Sequence, residues 1–463
     1  MSLKRNKGEY DWIIIGIYLS LLMIGWIAFY AVSYSQNIDK DFFNYDTPIT
    51  KQSIYIVIAL MCFFLALFVD WKFWHTFAYL IYGFSVFLLL LVLIIGAEVK
   101  GAKAWFLFGG FSFQPSEFAK IGTTLALSSM LCYYRTNLKQ TNYQLISFGL
   151  ILLPVVLILF QPDAGSAITF LSFFILLFIE GLNELYYLGG ILFAAVFILS
   201  FLMPLNVILL SLIILAILLS WYYFKKFKYQ LSFLIIILGI TVGLLLYYPI
   251  NISLIFISVT LLSGLIYLWR SRQERLAIII PITVLLLYGF AYTSFFFFNR
   301  LEAHQQERLK VWLKPDECDP RGSLYNILQS KVAIGSGGFI GKGFLEGNMT
   351  KLKFVPEQST DFIFSTIGEE HGFIGSVTVI LLFAILIYRI FKISETTNQK
   401  FISYFAACLA GLLFIHVLVN IGMTMGLLPI IGIPLPFISK GGSSLITFSI
   451  MMGMLMRMQG KQN

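Results

Sequence analysis

The stretch WIIIGIYLSLLMIGWIAFYAV, Trp12 to Val32, carries no charged side chain and is long enough to cross a bilayer. About 20 apolar residues in a helix cover about 30 Å of hydrocarbon, and a helix satisfies its own backbone where no water can. Similar stretches recur along the chain. Hydrophobic residues make up 59% of it and charged residues 12%, against about half and about a quarter in soluble domains. The expected fold class is all-α, a polytopic integral membrane helix bundle. Spans are expected near residues 12–32, 53–69, 74–96, 116–134, 145–160, 165–182, 185–203, 206–222, 231–248, 252–269, 277–297, 362–390, 402–428 and 443–458, which makes about fourteen.

Lys4, Arg5 and Lys7 precede the first span. It is too long for a signal-peptide core and lacks a small-residue cleavage pattern, so it reads as uncleaved. With the amino terminus in the cytoplasm, roughly 17 Lys and Arg fall in inside segments against about six in short outside loops, as the positive-inside rule requires. The clusters FKKFK (Phe224 to Lys228) and WRSRQER (Trp269 to Arg275) then act as orientation signals. The net charge of +9 therefore implies no nucleic-acid partner. Both termini are expected in the cytoplasm. Cys62, Cys132, Cys318 and Cys408 are scattered without a CxxC, and His75, His304, His371 and His416 are equally dispersed. Neither a disulfide framework nor a histidine-bound metal is indicated.

Between Arg300 and Asp361 the chain runs without a spanning stretch, too long for a simple connection. YNILQSKVAI and GFIGKGF mix apolar and polar residues at helical spacing, so this segment is expected to be a structured loop. The topology places it outside. Four polar islands share that face: GAKAWFLFGGFSFQPSEFAK (Gly101 to Lys120), QPDAGSA (Gln161 to Ala167), the end of the long loop with PEQSTDFIFSTIGEEHGFIGS, and GIPLPFISKGGSS (Gly432 to Ser444). Chemistry is thus expected at the outer membrane surface.

Glu117 and Lys120 lie three residues apart where a span begins, on one helical face. A charge at membrane depth costs about 2.5–3.5 kcal/mol, so the two form either a structural pair or the wall of a cavity for an anionic lipid headgroup. Asp163, ahead of Ala-Gly-Ser, suits a helix N-cap and could also serve a site. Asp361 stands where a helix begins and the dipole favours an anion. The adjacent Glu369 and Glu370 sit inside an apolar stretch and need donors. GSGGFIGKGF fails the phosphate-loop pattern because Gly343 follows Lys342. Pro434 and Pro436 followed by paired glycines cannot continue a helix, and a re-entrant backbone there must be buried in protein or line a wet cavity.

The islands GAKAW, FQPSEFAK, QPDAGSA, ECDPRG, LQSKVAIGSGG, GKGF, PEQSTDFIF, GEEHGFIG and GIPLPFIS with GGSS stand in an order that resembles the SEDS family (shape, elongation, division and sporulation), RodA branch. The resemblance covers residues 10–203 and 300–458. It implies a peptidoglycan glycosyltransferase that polymerises lipid II beside a class B penicillin-binding protein and the elongation machinery, in the bacterial cytoplasmic membrane. It also implies ten family-type spans with about four extra ones, and regions 1–203, 204–298 (extra helices), 299–361 (the loop with the acidic motif) and 362–463.

By resemblance the family's critical acid falls on Asp319, its loop tryptophan on Trp105, and its membrane-cavity pair on Glu117 and Lys120. Pro315 to Pro320 is one residue longer than the usual pattern, which makes Asp316 a rival to Asp319; GSLYN replaces a usual GxGYN, and Lys440 stands where the family usually has Tyr. A sugar hydroxyl is a poor nucleophile until a positioned carboxylate takes its proton. Asp319 is therefore expected as general base. Lys120, Arg321 and Lys342 are candidate cations for the departing pyrophosphate, and Trp105, Glu117, Asp163 and Asp361 candidate substrate contacts. A divalent cation, Mg or Mn, is the one cofactor considered, with no ligand set assigned and no organic cofactor expected. Two other readings stand beside this one: a flippase for the same lipid, suggested by intramembrane charges and the broken helix, and a division-type, FtsW-like polymerase.

Overall fold

The computed structural model describes residues 10–34, 47–99, 101–108, 111–133, 136–205, 207–208, 211–212, 274–298, 300, 303–319 and 322–460. The expected spans at 231–248 and 252–269, most of 206–222, FKKFK and Arg321 lie outside them. The described chain falls into two compact units, residues 1–183 with 319–463 and residues 184–318.

The first unit begins with α1 (Trp12–Tyr34), α2 (Pro48–Phe68), the short α3 (Trp71–Thr76) and α4 (Ala78–Ile95). Local chemistry sets the starts. Pro48 opens α2 behind Thr47, whose side chain accepts from the Thr50 amide, and Asp70 caps α3 through Lys72 N. The first island then folds as a three-stranded antiparallel sheet, β1 (Ala97–Val99), β2 (Ala102–Phe108) and β3 (Phe111–Phe113). Ala104 and Phe106 are buried while Leu107 is exposed, a period-2 alternation that the spanning-length reading passed over.

Next come α5 (Pro115–Cys132), α6 (Thr141–Leu159), α7 (Ala164–Thr169) and α8 (Phe173–Ile179), the last two joined by a 3-10 turn at Phe170–Ser172. The second unit holds α9 (Glu184–Leu202), α10 (Glu274–Phe298) and α11 (Ala303–Leu313), followed by a 3-10 turn at Pro315–Glu317. Its buried cluster is Val196, Ile208, Leu212, Leu287 and Ala291. The first unit resumes with α12 (Ser323–Ser336), α13 (Asn348–Lys351), α14 (Ile363–Thr396), α15 (Lys400–Thr424) and α16 (Gly442–Gly460).

Seven of the described helices are long and apolar enough to cross a membrane: α1, α2, α4, α6, α9, α14 and α15. The helices α5 and α16, both expected as spans, are rich in Ser, Thr and Gly, α5 also holds Glu117 and Lys120, and most residues of each are buried. A helix wrapped by other helices need not be apolar toward lipid, which explains why these two tolerate polar side chains. Small residues bring the backbones together. Gly442 packs on the Tyr55 ring, and Gly453, about three turns further, packs on the Phe63 carbonyl of α2.

The two ends of the first unit are chemically different. At one end Arg389 holds Asp11 at 2.8 Å and Gly460 packs on Tyr10. At the other, Tyr30 stacks on Phe344 and Ser443 donates to the Ser112 carbonyl. The polar islands gather at this second end, and the first and last described residues lie at the opposite one.

Candidate active site

Pro115 starts α5 and Glu117 occupies its first turn, where the helix dipole favours an anion. One turn on, Lys120 turns back to pair with it, Nζ to Oε1 at 2.7 Å, with both side chains buried. Lys120 Nζ also lies 3.0 Å from His416 Nε2 on α15 and above the Phe448 ring of α16. The second oxygen of Glu117, Oε2, is buried and has no hydrogen-bond partner among the described residues. Sequence reading set His416 aside as one of four dispersed histidines. The missed signal is its position, an ionisable side chain inside the long apolar helix of Lys400–Thr424.

Asp163 caps α7, accepting from Ser166 N at 3.0 Å and Ser166 Oγ at 2.7 Å. It also accepts from Gln114 Nε2 at 2.8 Å, and Gln114 N in turn donates to Ser443 Oγ. Four elements therefore meet at the residue before α5: the end of the β-sheet, the start of α5, the start of α7 and the start of α16. Trp105, half-buried on β2 opposite Ala97, belongs to the sheet that leads into this junction.

The Pro-Gly segment is held by its backbone. Asn420 Nδ2 donates to the carbonyls of Asp361 (3.0 Å) and Ile433 (2.8 Å), and Lys440 N donates to the Ser359 carbonyl. Ser439 Oγ donates to the Thr360 carbonyl while accepting from Leu435 N. Ile433, Leu435, Phe437 and Ile438 are all buried. The non-helical backbone of this segment is thus enclosed by protein. The Asp361 carboxylate lies against Gly432, so Asp361 joins this cluster.

Lys342 points elsewhere. Its Nζ lies 2.7 Å from Glu369 Oε1, and that fully buried carboxylate also accepts from Met349 N, Thr350 N and Thr350 Oγ1. The glycines around Lys342 serve backbone packing. Lys342 N and Gly343 N donate to the carbonyls of Glu369 and Glu370, and Phe373 N and Ile374 N donate to those of Gly338 and Phe339. Gly372 breaks α14 at φ 62° to allow it. Among the described residues neither carboxylate oxygen of Glu370, beside Glu369, makes a full hydrogen bond, the Leu345 amide being the donor near it.

Asp319 is exposed, and its carbonyl accepts from Gly322 N at the head of α12. Asp316 is exposed in the 3-10 turn of the second unit, where Glu317 pairs with Lys314 at 3.1 Å. The structure thus joins Glu117 and Lys120 directly, and links Asp163 and Asp361 to the same end of the helical unit. Lys342 belongs to a separate carboxylate centre. Among the described residues no three of His, Cys, Asp and Glu converge on a metal position.

Fold and site together define a polytopic membrane protein with a buried ion pair near the end where the polar islands gather. A family model described as cell cycle protein, FtsW/RodA/SpoVE, matches residues 11–213 and 208–463, and the chain belongs to that family. Peptidoglycan glycosyltransferase RodA of Treponema pallidum is 32% identical over 99% of both chains. Peptidoglycan glycosyltransferase MrdB of Escherichia coli K12 is 30% identical over 83% of this chain and 77% of its own. A probable peptidoglycan glycosyltransferase FtsW of Trichlorobacter lovleyi is 29% identical over 97% and 92%.

Among solved structures, a chain from a peptidoglycan synthase complex, studied for the coordination of polymerization and crosslinking, has TM-score 0.64 and 25% identity, covering 98% of this chain and 99% of that one. The rod shape determining protein RodA of Thermus thermophilus, at TM-score 0.57 and 22% identity over 98% of each chain, shares the fold.

Proposed function

We propose that this chain is the glycan polymerase of cell elongation, a peptidoglycan glycosyltransferase that joins lipid II units into glycan strands. The observation that carries the reading is the end-to-end match to a relative named for that activity. In the proposed reaction the acceptor sugar's 4-hydroxyl oxygen attacks the anomeric carbon of the donor. The bond from that carbon to the lipid pyrophosphate breaks, and the pyrophosphate leaves with the bonding pair. Asp319 takes the hydroxyl proton, which its exposure to solvent permits.

Lys120, with Glu117, holds the anionic part of the lipid-linked substrate, and Arg321 is a second candidate cation near the acid in sequence. Trp105, Asp163 and Asp361 shape the polar end over that pair. Lys342, paired with Glu369, takes no substrate contact in this reading. The partner is a class B penicillin-binding protein, which crosslinks the strands made here. Both termini face the cytoplasm, which the pairing of Asp11 with Arg389 at the end away from the islands supports. A Mg or Mn requirement enters through the substrate's own pyrophosphate oxygens.

The test is product formation. Purified protein with its partner, supplied with lipid II and either Mg, Mn or chelator, yields glycan polymer under this reading. Movement of a fluorescent lipid II across vesicle bilayers without polymer would instead establish a flippase.

A further inference from the structure

His416 stands on α15 four residues before Asn420, hence on the same helical face. Asn420 donates to the Ile433 carbonyl, and the next carbonyl along the Pro-Gly segment, that of Pro434, lies 3.2 Å from His416 Nδ1. The other ring nitrogen, Nε2, is 3.0 Å from Lys120 Nζ. An ammonium carries donors and no acceptor, so Nε2 accepts from Lys120. That assigns the tautomer. The proton sits on Nδ1 and is donated to Pro434, while the Phe448 ring packs edge-on at 5.0 Å.

Lys120 has three N–H donors, of which Glu117 and His416 take two. The third N–H is taken by neither, the ammonium lying above the Phe448 ring, and the buried Glu117 Oε2 has no partner among the described residues. Were His416 absent, the ammonium would be free to swing onto both Glu117 oxygens and close the pair on itself. We infer that His416 is a positioning residue: anchored by the Pro434 carbonyl, it takes one Lys120 N–H, holds the ammonium to a single Glu117 oxygen, and so leaves the third N–H of Lys120 for the lipid-linked pyrophosphate substrate. The same contact ties the buried pair to the segment that Ser359, Thr360 and Asp361 fasten from above. A displacement of that segment is thereby felt at Lys120.

The inference rests on the glycosyltransferase reading for its kinetic test and not for its structural one. Gln can accept from Lys120 and donate to Pro434, whereas Leu can do neither. With the full chain and its partner, His416→Leu raises KM for lipid II by about tenfold with kcat within about threefold, and His416→Gln returns KM to within about threefold of wild type. An unchanged KM in the Leu variant, or a Gln variant as impaired as Leu, would overturn the assignment. Absence of polymer from wild type, with a control polymerase active, would defeat the functional reading alone. The tautomer then still decides: in protein carrying 15N-histidine, His416 shows protonated Nδ1, and its Nε2 resonance moves in Lys120→Met. A proton on Nε2, or no response to that substitution, would contradict the inference.

Discussion

Gln114 Nε2 donates to Asp163 Oδ2 at 2.8 Å, so the residue that precedes α5 is tied to the residue that caps α7. The sequence separates these two by a full membrane hairpin. Their contact fixes how the helix bearing Glu117 and Lys120 enters the bundle.

Asp163→Ala removes the cap of α7 and the acceptor for Gln114 together. Loss of an N-cap costs about 1 kcal/mol, and loss of a hydrogen bond to a charged group about 1.5–3 kcal/mol. The expected outcome is a lower melting temperature in detergent accompanied by a rise in KM. Asp163→Asn keeps the oxygen facing Ser166 N and should recover most of the stability. It turns an amide toward Gln114, so KM should recover less.

Glu369 and Lys342 should respond unequally although they share one ion pair. Glu369 is fully buried with four donors, whereas the Lys342 side chain retains 27% exposure. Glu369→Ala strands all four donors and should cost about 3–5 kcal/mol, the usual penalty for breaking a buried pair. After Lys342→Gln three donors remain on Glu369, and the cost should be about 1 kcal/mol. Unfolding curves of the two variants check this directly. Equal losses would mean the Lys342 charge, and not the cradle of amides, holds the carboxylate.

The glycine-rich run makes a sharper contrast. Gly341 (φ 95°) lies with its Cα against the Glu370 carbonyl, while Gly338 (φ 60°) has open space where a side chain would go. Gly338→Ala should cost about 1–2 kcal/mol, the ordinary price of a left-handed backbone. Gly341→Ala must also push α14 away and should yield little folded protein. Recovery of monodisperse protein by size-exclusion chromatography distinguishes the two.

Much of this was written in local chemistry. Apolar length marked the spans that face lipid, and Asp163 and the Pro434 to Gly442 segment announced a cap and a broken helix. The polar islands were identified as neighbours because each lies at the same end of its span. What escaped was set by tertiary contact. Lys342 reads as a free cation until α14 brings Glu369 to it, and the hairpin around Trp105 was hidden by aromatic residues that suit sheet and membrane alike. His416 stands out in the sequence as an ionisable side chain in an apolar helix, but its partner Lys120, 296 positions away, is supplied by the fold.

Asp319 and Asp316 are both exposed and lie three residues apart in the sequence. Wild type, Asp319→Asn and Asp316→Asn should be compared with lipid II and a partner lacking transpeptidase and glycosyltransferase activity, with the glycan products resolved by length. Polymer from wild type and Asp316→Asn, with at least about a hundredfold loss in Asp319→Asn, is the predicted result for a general base. Polymer at the wild-type rate from Asp319→Asn would contradict the account.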